Sequence, residues 1–114
     1  FVQMKKNGGG TIVNVSSLGG LERLQKFDGF SAYSMSKFGV VGLTECLAVE
    51  GKDFDITVNC VAPGAVETQM LKQVAPFFKT NTKPNDVARV IKFLCEEGLK
   101  GSMSGSVFPL FTNG

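Results

Sequence analysis

Two short runs of mostly β-branched residues, Thr11 to Val15 (TIVNV) and Ile56 to Val61 (ITVNCV), stand on either side of a long helical stretch, Ser31 to Glu50. That spacing leaves few foldings. A helix of this length between two strands is long enough for a right-handed crossover, which joins parallel neighbours in one sheet. Both runs are nearly continuous in apolar residues, the pattern of strands buried on both faces. A third run, Ser106 to Phe111 (SVFPLF), follows another helical pattern through Val87, Val90, Ile91 and Leu94. Pro84 suits the first residue of that helix, and Gly98 its end. Pro109 has no N–H, so the third strand is expected to be irregular or to lie at an edge.

The remaining segments fit between these elements. Phe1 to Lys6 reads as the end of an amphipathic helix, and Gly8-Gly9-Gly10 stops it in a turn. The first strand is expected to end at Ser16-Ser17 and the second at Ala62-Pro63-Gly64. Leu18 to Phe30 reads as a loop. In the long helix, Ser31 is the expected cap and Gly51 to Asp53 the terminator. Phe38, Val41 and Glu45 recur at helical spacing, as do Val40, Leu43 and Leu47. Small residues (Ala32, Ser36, Gly39, Gly42) line another face, fit for close packing on a partner helix or on the chain's own sheet. Glu67 to Phe78 is read as a short helix with a loop. The order helix, strand, helix, strand, helix, strand predicts an α/β fold of about three parallel strands with flanking helices.

Composition removes several function classes. The 114 residues include no histidine, which excludes Ser-His-Asp and Cys-His nucleophile systems. Cys46, Cys60 and Cys95 form no C-x-x-C pair, and without histidine a zinc site has no plausible ligand set. They are read as reduced core thiols of a cytoplasmic protein. Net charge is +2, and the basic residues are scattered, giving no stripe for a nucleic acid or a membrane surface. The apolar runs are too short to span a bilayer.

In open parallel sheets, ligands bind beyond the carboxyl ends of the strands. Ser16-Ser17 and Pro63-Gly64 are expected there, and Tyr33 opens the helix between them. Lys37 follows Tyr33 by one helical turn, so both share a face. A phenol has a pKa of about 10 and is a weak acid–base group at neutral pH. An ammonium beside it favours the phenolate. A serine hydroxyl nearby can hold a carbonyl oxygen or the alcohol it becomes, while a phenol transfers the proton. Hydride transfer then needs a cofactor such as a nicotinamide. Strand alternation turns Ser16 and Ser17 to opposite faces, and Ser17 is the one read as facing the site. Asn14 lies within the strand and is read as supporting the backbone.

A Y-x-x-x-K spacing alone is weak evidence. The wider text is stronger: G-G-T-I-V-N-V-S-S, then Y-S-M-S-K-F-G-V-V-G-L-T, then I-T-V-N-C-V-A-P-G-A-V-E-T, in that order. Together these closely resemble the second half of the short-chain dehydrogenase/reductase family. K-P-N-D-V-A-R-V-I-K-F-L and the closing S-G-S-V-F resemble that family's last helix and strand. The resemblance extends over essentially the whole chain. It implies the C-terminal half of a Rossmann-like, doubly wound parallel sheet. It also implies an NAD- or NADP-dependent oxidoreductase that interconverts a secondary alcohol and a ketone. By position it assigns Ser17 to substrate orientation, Tyr33 to acid–base transfer, and Lys37 to activating Tyr33 and binding the nicotinamide ribose. Pro63, Gly64, Val66 and Thr68 would contact the nicotinamide end.

The sequence also departs from the family pattern. The segment between Ser17 and Tyr33, with Glu22-Arg23 and Gln25-Lys26, looks a few residues longer than usual. Val107-Phe108-Pro109-Leu110 stands where an acidic residue and a glycine are more common. Gly8-Gly9-Gly10 precedes a strand, whereas a phosphate loop must lead from a strand into a helix. The resemblance therefore implies that the chain, residues 1–114 as one partial domain, is a fragment without the dinucleotide-binding half. The first strand would then be an edge, covered by a second copy or by the missing half. The alternative is a truncated, non-catalytic interaction module. Substrate contacts are expected in Leu18 to Phe30 and Ala65 to Phe78, where Met70, Leu71, Phe77 and Phe78 point to a partly apolar ligand.

Overall fold

The computed structural model describes residues 1–74 and 80–111. Its elements are α1 (Val2–Lys6), β1 (Gly10–Val15), α2 (Ser31–Gly51), β2 (Ile56–Pro63), α3 (Gln69–Val74), α4 (Pro84–Leu99) and β3 (Val107–Leu110). Single 3-10 turns, Leu18–Gly20 and Lys52–Phe54, follow β1 and α2. The three strands form one parallel sheet in the order β1-β2-β3. The α/β reading and the parallel crossovers thus hold.

Burial follows from this order. β2 is central, and Ile56, Val58, Cys60, Val61 and Ala62 are buried with Leu94 of α4. β1 was expected to be buried on both faces, yet Gly10–Asn14 are half-buried and Val15 is exposed. Its one strand neighbour among the described residues is β2, so its apolar composition exceeds its burial here. β3 is the other edge and carries the exposed Pro109, where a missing N–H costs no ladder bond.

Polar groups join the layers. Asn14 Nδ2 donates to Thr44 Oγ1 at 3.0 Å, and Thr44 Oγ1 donates to the Val40 carbonyl at 2.8 Å, fixing α2 over β1. Asn14 is therefore a support for the helix rather than for its own strand. Asn59, fully buried, donates to Met103 O at 3.2 Å and accepts from Ser106 N at 3.1 Å, shaping the turn before β3.

Several boundaries differ from expectation. Phe30, not Ser31, is the N-cap of α2: Ser34 N donates to Phe30 O at 2.8 Å, and no side chain caps the helix. β2 continues to Pro63, because Pro63 needs no N–H at that end and Gly64 N makes the bond to Leu110 O at 2.9 Å. The small residues Ala32, Ser36, Gly39 and Gly42 are exposed, so that face of α2 does not pack on its own sheet. Met35, Phe38, Leu43 and Val49 are exposed on α2 as well. Cys60 is buried, whereas Cys46 is exposed and Cys95 half-buried, so the three thiols are free but not all core. Burial pushes the Cys60 thiol up, which keeps it protonated and unreactive.

The start of α4 yields a pH prediction. Asp86 Oδ2 accepts from Lys83 N at 2.7 Å while Asp86 N donates to Lys83 O at 3.0 Å, and Asp86 also pairs with Arg89. The Lys83 N–H and then the Arg89 guanidinium hold the Asp86 carboxyl below its usual 3.8. A lowered carboxyl pKa gives stability that is present above the unfolded value and is lost as pH falls through the folded one. Asp86→Asn should therefore lower the melting temperature at neutral pH. The difference from wild type should close as pH drops below the carboxyl range. Melts recorded across pH check this; a constant difference at every pH would show that the charge is not responsible.

Candidate active site

The carboxyl ends of β1 and β2 meet at one end of the sheet. Val15 pairs with Val61, and Ser16 N extends the ladder to Val61 O at 2.8 Å. Beyond this point β1 turns sharply. Ser17 caps the 3-10 turn, its Oγ accepting from Gly19 N at 3.2 Å. As an acceptor there, the hydroxyl keeps its own proton for donation.

Tyr33 and Lys37 lie one turn apart near the start of α2. Tyr33 is 41% exposed, and its ring stands edge-on to Phe30, with centroids 5.8 Å apart. Among the described residues no hydrogen bond engages its hydroxyl. Lys37 Nζ lies 5.7 Å from the Tyr33 ring centroid and donates to Val15 O at 3.5 Å. An ammonium at that distance is attracted by the ring's electron-rich face.

Gly19 connects the two halves of this cluster. A Cβ placed on it would lie 3.7 Å from both Ser17 Oγ and Tyr33 Cε1, and 3.5 Å from Ser34 Oγ. Ser17 and Tyr33 therefore converge on a single residue that has no side chain. The structure brings the expected trio of Ser17, Tyr33 and Lys37 together.

The other expected residues occupy the neighbouring strand end. Pro63 closes β2, Gly64 binds Leu110 O, and Val66 is half-buried. Thr68 opens α3, its Oγ1 accepting from Leu71 N at 3.1 Å. Glu67 N donates to Thr82 O at 2.7 Å and its carboxylate pairs with Lys83, tying both ends of the intervening segment. Among the described residues no hydrogen bond links this group to Ser17, Tyr33 or Lys37. Of the residues read as apolar ligand contacts, Leu71 is half-buried in α3, Met70 belongs to the same helix, and Phe77 and Phe78 lie outside the described residues.

The segment before Tyr33, where substrate contacts are expected from the sequence, walls an open cavity of about 490 Å³ with α2, lined by Phe27, Phe30, Met35 and Phe38 among others. One feature escaped the sequence reading: the closeness of Gly19 and Gly20 to the trio. A glycine pair two residues after a strand-ending serine pair was the available signal, since glycine marks close backbone approach. Among the described residues there is no group of three or more acidic, cysteine or histidine side chains that could hold a metal ion. No described helix is long and apolar enough to cross a membrane.

Known proteins share this fold and much of this sequence. The short chain dehydrogenase family matches residues 1–77. An uncharacterised oxidoreductase of Thermotoga maritima is 48% identical over 125 aligned positions, covering 95% of this chain and 48% of the relative. Human dehydrogenase/reductase SDR family member 4 is 36% identical over 107, covering 83% and 37%. Among solved structures, a 7α-hydroxysteroid dehydrogenase in complex with NADH and 7-oxo glycochenodeoxycholic acid superposes with a TM-score of 0.80 at 27% identity. That match covers 96% of this chain and 46% of the enzyme. The chain spans less than half the length of each of these proteins. With the family match extending over two-thirds of the residues, and with the fold shared, the chain belongs to the short chain dehydrogenase family.

Proposed function

We propose that the protein carrying this sequence is an NAD(P)-dependent oxidoreductase that interconverts a secondary alcohol and a ketone, and that these residues form its catalytic side. The observation that carries the reading is the convergence of Ser17 Oγ and the Tyr33 ring on Gly19, with Lys37 Nζ beside that ring. Ser17 holds the substrate oxygen. Tyr33 moves the proton at that oxygen through its hydroxyl. Lys37 stands beside the Tyr33 ring and binds the nicotinamide ribose together with Tyr33. Pro63, Gly64, Val66 and Thr68 face the nicotinamide end. The residues fit such a group: Lys37 is partly exposed and holds one carbonyl at 3.5 Å, which leaves further ammonium donors for ribose hydroxyls. When bound, the nicotinamide supplies or accepts the hydride. The cavity beside Phe30 accommodates an apolar part of the substrate. The exposed apolar face of α2 suits contact with a second copy of the chain.

Calorimetric titration with NADH and NADPH tests this reading. The protein carrying the sequence should bind one of them saturably, and Lys37→Ala should weaken that binding. The 114-residue stretch alone should give no saturable heat, because it contains no strand-to-helix phosphate turn. Saturable binding by the stretch alone, lost in Lys37→Ala, would mean that it builds a cofactor site without such a turn. Failure of the whole protein to bind either nucleotide would overturn the oxidoreductase reading and favour an interaction module.

A further inference from the structure

We propose that Ser16 is a positioning residue that sets where Lys37 stands beside Tyr33; the proposal rests on the roles given to Lys37 and Tyr33 above. Ser16 is 3% exposed, and its Oγ donates to the Lys37 carbonyl at 2.8 Å. That carbonyl lies inside α2, where the helix already provides one donor. The neighbouring residue on β1, Val15, accepts from Lys37 Nζ at 3.5 Å. Both ends of Lys37, its backbone and its ammonium, are therefore held by two consecutive residues, Val15 at the end of β1 and Ser16 just beyond it. The dipeptide is itself anchored, because Ser16 N donates to Val61 O on the central strand.

Gly20 makes the arrangement possible. A Cβ there would come within 2.6 Å of the Lys37 carbonyl carbon, 2.7 Å of Lys37 Cβ and 2.7 Å of Ser16 Oγ. Any side chain at Gly20 would push α2 away from Ser16. The turn after β1 thus serves two purposes: Ser17 and Gly19 face Tyr33, and Ser16 and Gly20 fix the height of Lys37. A long, flexible ammonium side chain needs such fixing to act at one place, because misplacement by about 1 Å can cost on the order of a hundredfold in rate.

Tyr33 is the single tyrosine of these 114 residues, and subtracting the near-UV circular dichroism of the matching Tyr33→Phe preparation isolates its signal in the protein carrying the sequence. The test is a double-substitution cycle on that protein, with no nucleotide present, using Ser16→Ala, Lys37→Met and the pair. The single substitutions should change the Tyr33 signal in the same sense, and Ser16→Ala should add nothing once Lys37 is methionine. Because no cofactor is involved, this result stands or falls separately from the nucleotide titration. If Ser16→Ala does not fold, Ser16→Cys, which fills the site with a weaker donor, runs the same cycle under the same criteria. Additive changes in the pair, or a Tyr33 signal indifferent to either single substitution, would overturn the proposal.

Discussion

Gly98→Ala should destabilise the fold by about 1–3 kcal/mol, although alanine is the better helix former. The reason is the surface that α4 presents to the sheet. A Cβ on Gly98 would lie 2.1 Å from Thr11 Oγ1 and 3.0 Å from Thr57 Oγ1. Both threonines are β-branched and held on strands, so neither can swing aside freely. They are also engaged: Thr57 Oγ1 donates to Gly98 O at 2.9 Å, and the two threonine hydroxyls are hydrogen-bonded to each other at 2.8 Å. The methyl group must lift the end of α4 or break these bonds, and Leu94, one turn earlier on α4, is part of the core. In a domain of this size each kcal/mol lowers the melting midpoint by about 4–8 °C. Two controls separate sterics from helix propensity. Gly39→Ala and Gly42→Ala, where a Cβ meets nothing within 4 Å, should be neutral or stabilising by up to about 1 kcal/mol. Thr11→Ala combined with Gly98→Ala should recover part of the loss. Gly98→Ala melting at or above wild type would mean that Gly98 has room for a methyl group beside Thr11 and Thr57.

Gly98 also shows where the sequence was and was not informative. As a helix terminator it was readable, and the helix does end beside it, at Leu99. Its closeness to Thr11 could not be read, because it joins residues far apart in the chain and depends on how the helix lies across the sheet. The strands were legible because β-branched runs of that length have few alternatives beside long helical patterns. The burial of β1 was not. Apolar composition tells which surroundings suit a strand, while its exposure depends on which neighbours are present. α2 posed a similar difficulty. Apolar and small residues occur around most of its circumference, so periodicity could not decide which face meets the sheet. Asn14 and Thr44 decide it, through a side-chain bond invisible to spacing. In the site, the one-turn interval of Tyr33 and Lys37 was legible because helix geometry alone places them together. The bond from Ser16 was not, because its acceptor is a backbone carbonyl, which carries no residue signature.

Tyr33→Phe in the protein carrying this sequence should lower turnover by about 10²–10⁴-fold while leaving nucleotide affinity nearly intact. The substitution removes one oxygen and keeps the ring. The edge contact with Phe30 and the approach of Lys37 Nζ both involve that ring and should persist. The lost hydroxyl has no hydrogen-bond partner among the described residues, and Tyr33 is exposed, so little stability should be lost. A fall in rate could not then be attributed to unfolding. Lys37→Ala should behave differently. It removes the ammonium from Val15 O and from the Tyr33 ring, and on the proposed roles it takes away a ribose contact as well, so both turnover and affinity should fall. Initial rates with a secondary alcohol, alongside nucleotide titration of the same preparations, would measure the two effects. The contrast between the variants is the decisive feature. If Tyr33→Phe loses affinity as severely as turnover, the phenol is a binding group and its acid–base assignment fails. If both survive unchanged, the chemistry lies elsewhere in the protein, and the convergence on Gly19 is a packing arrangement without a catalytic part.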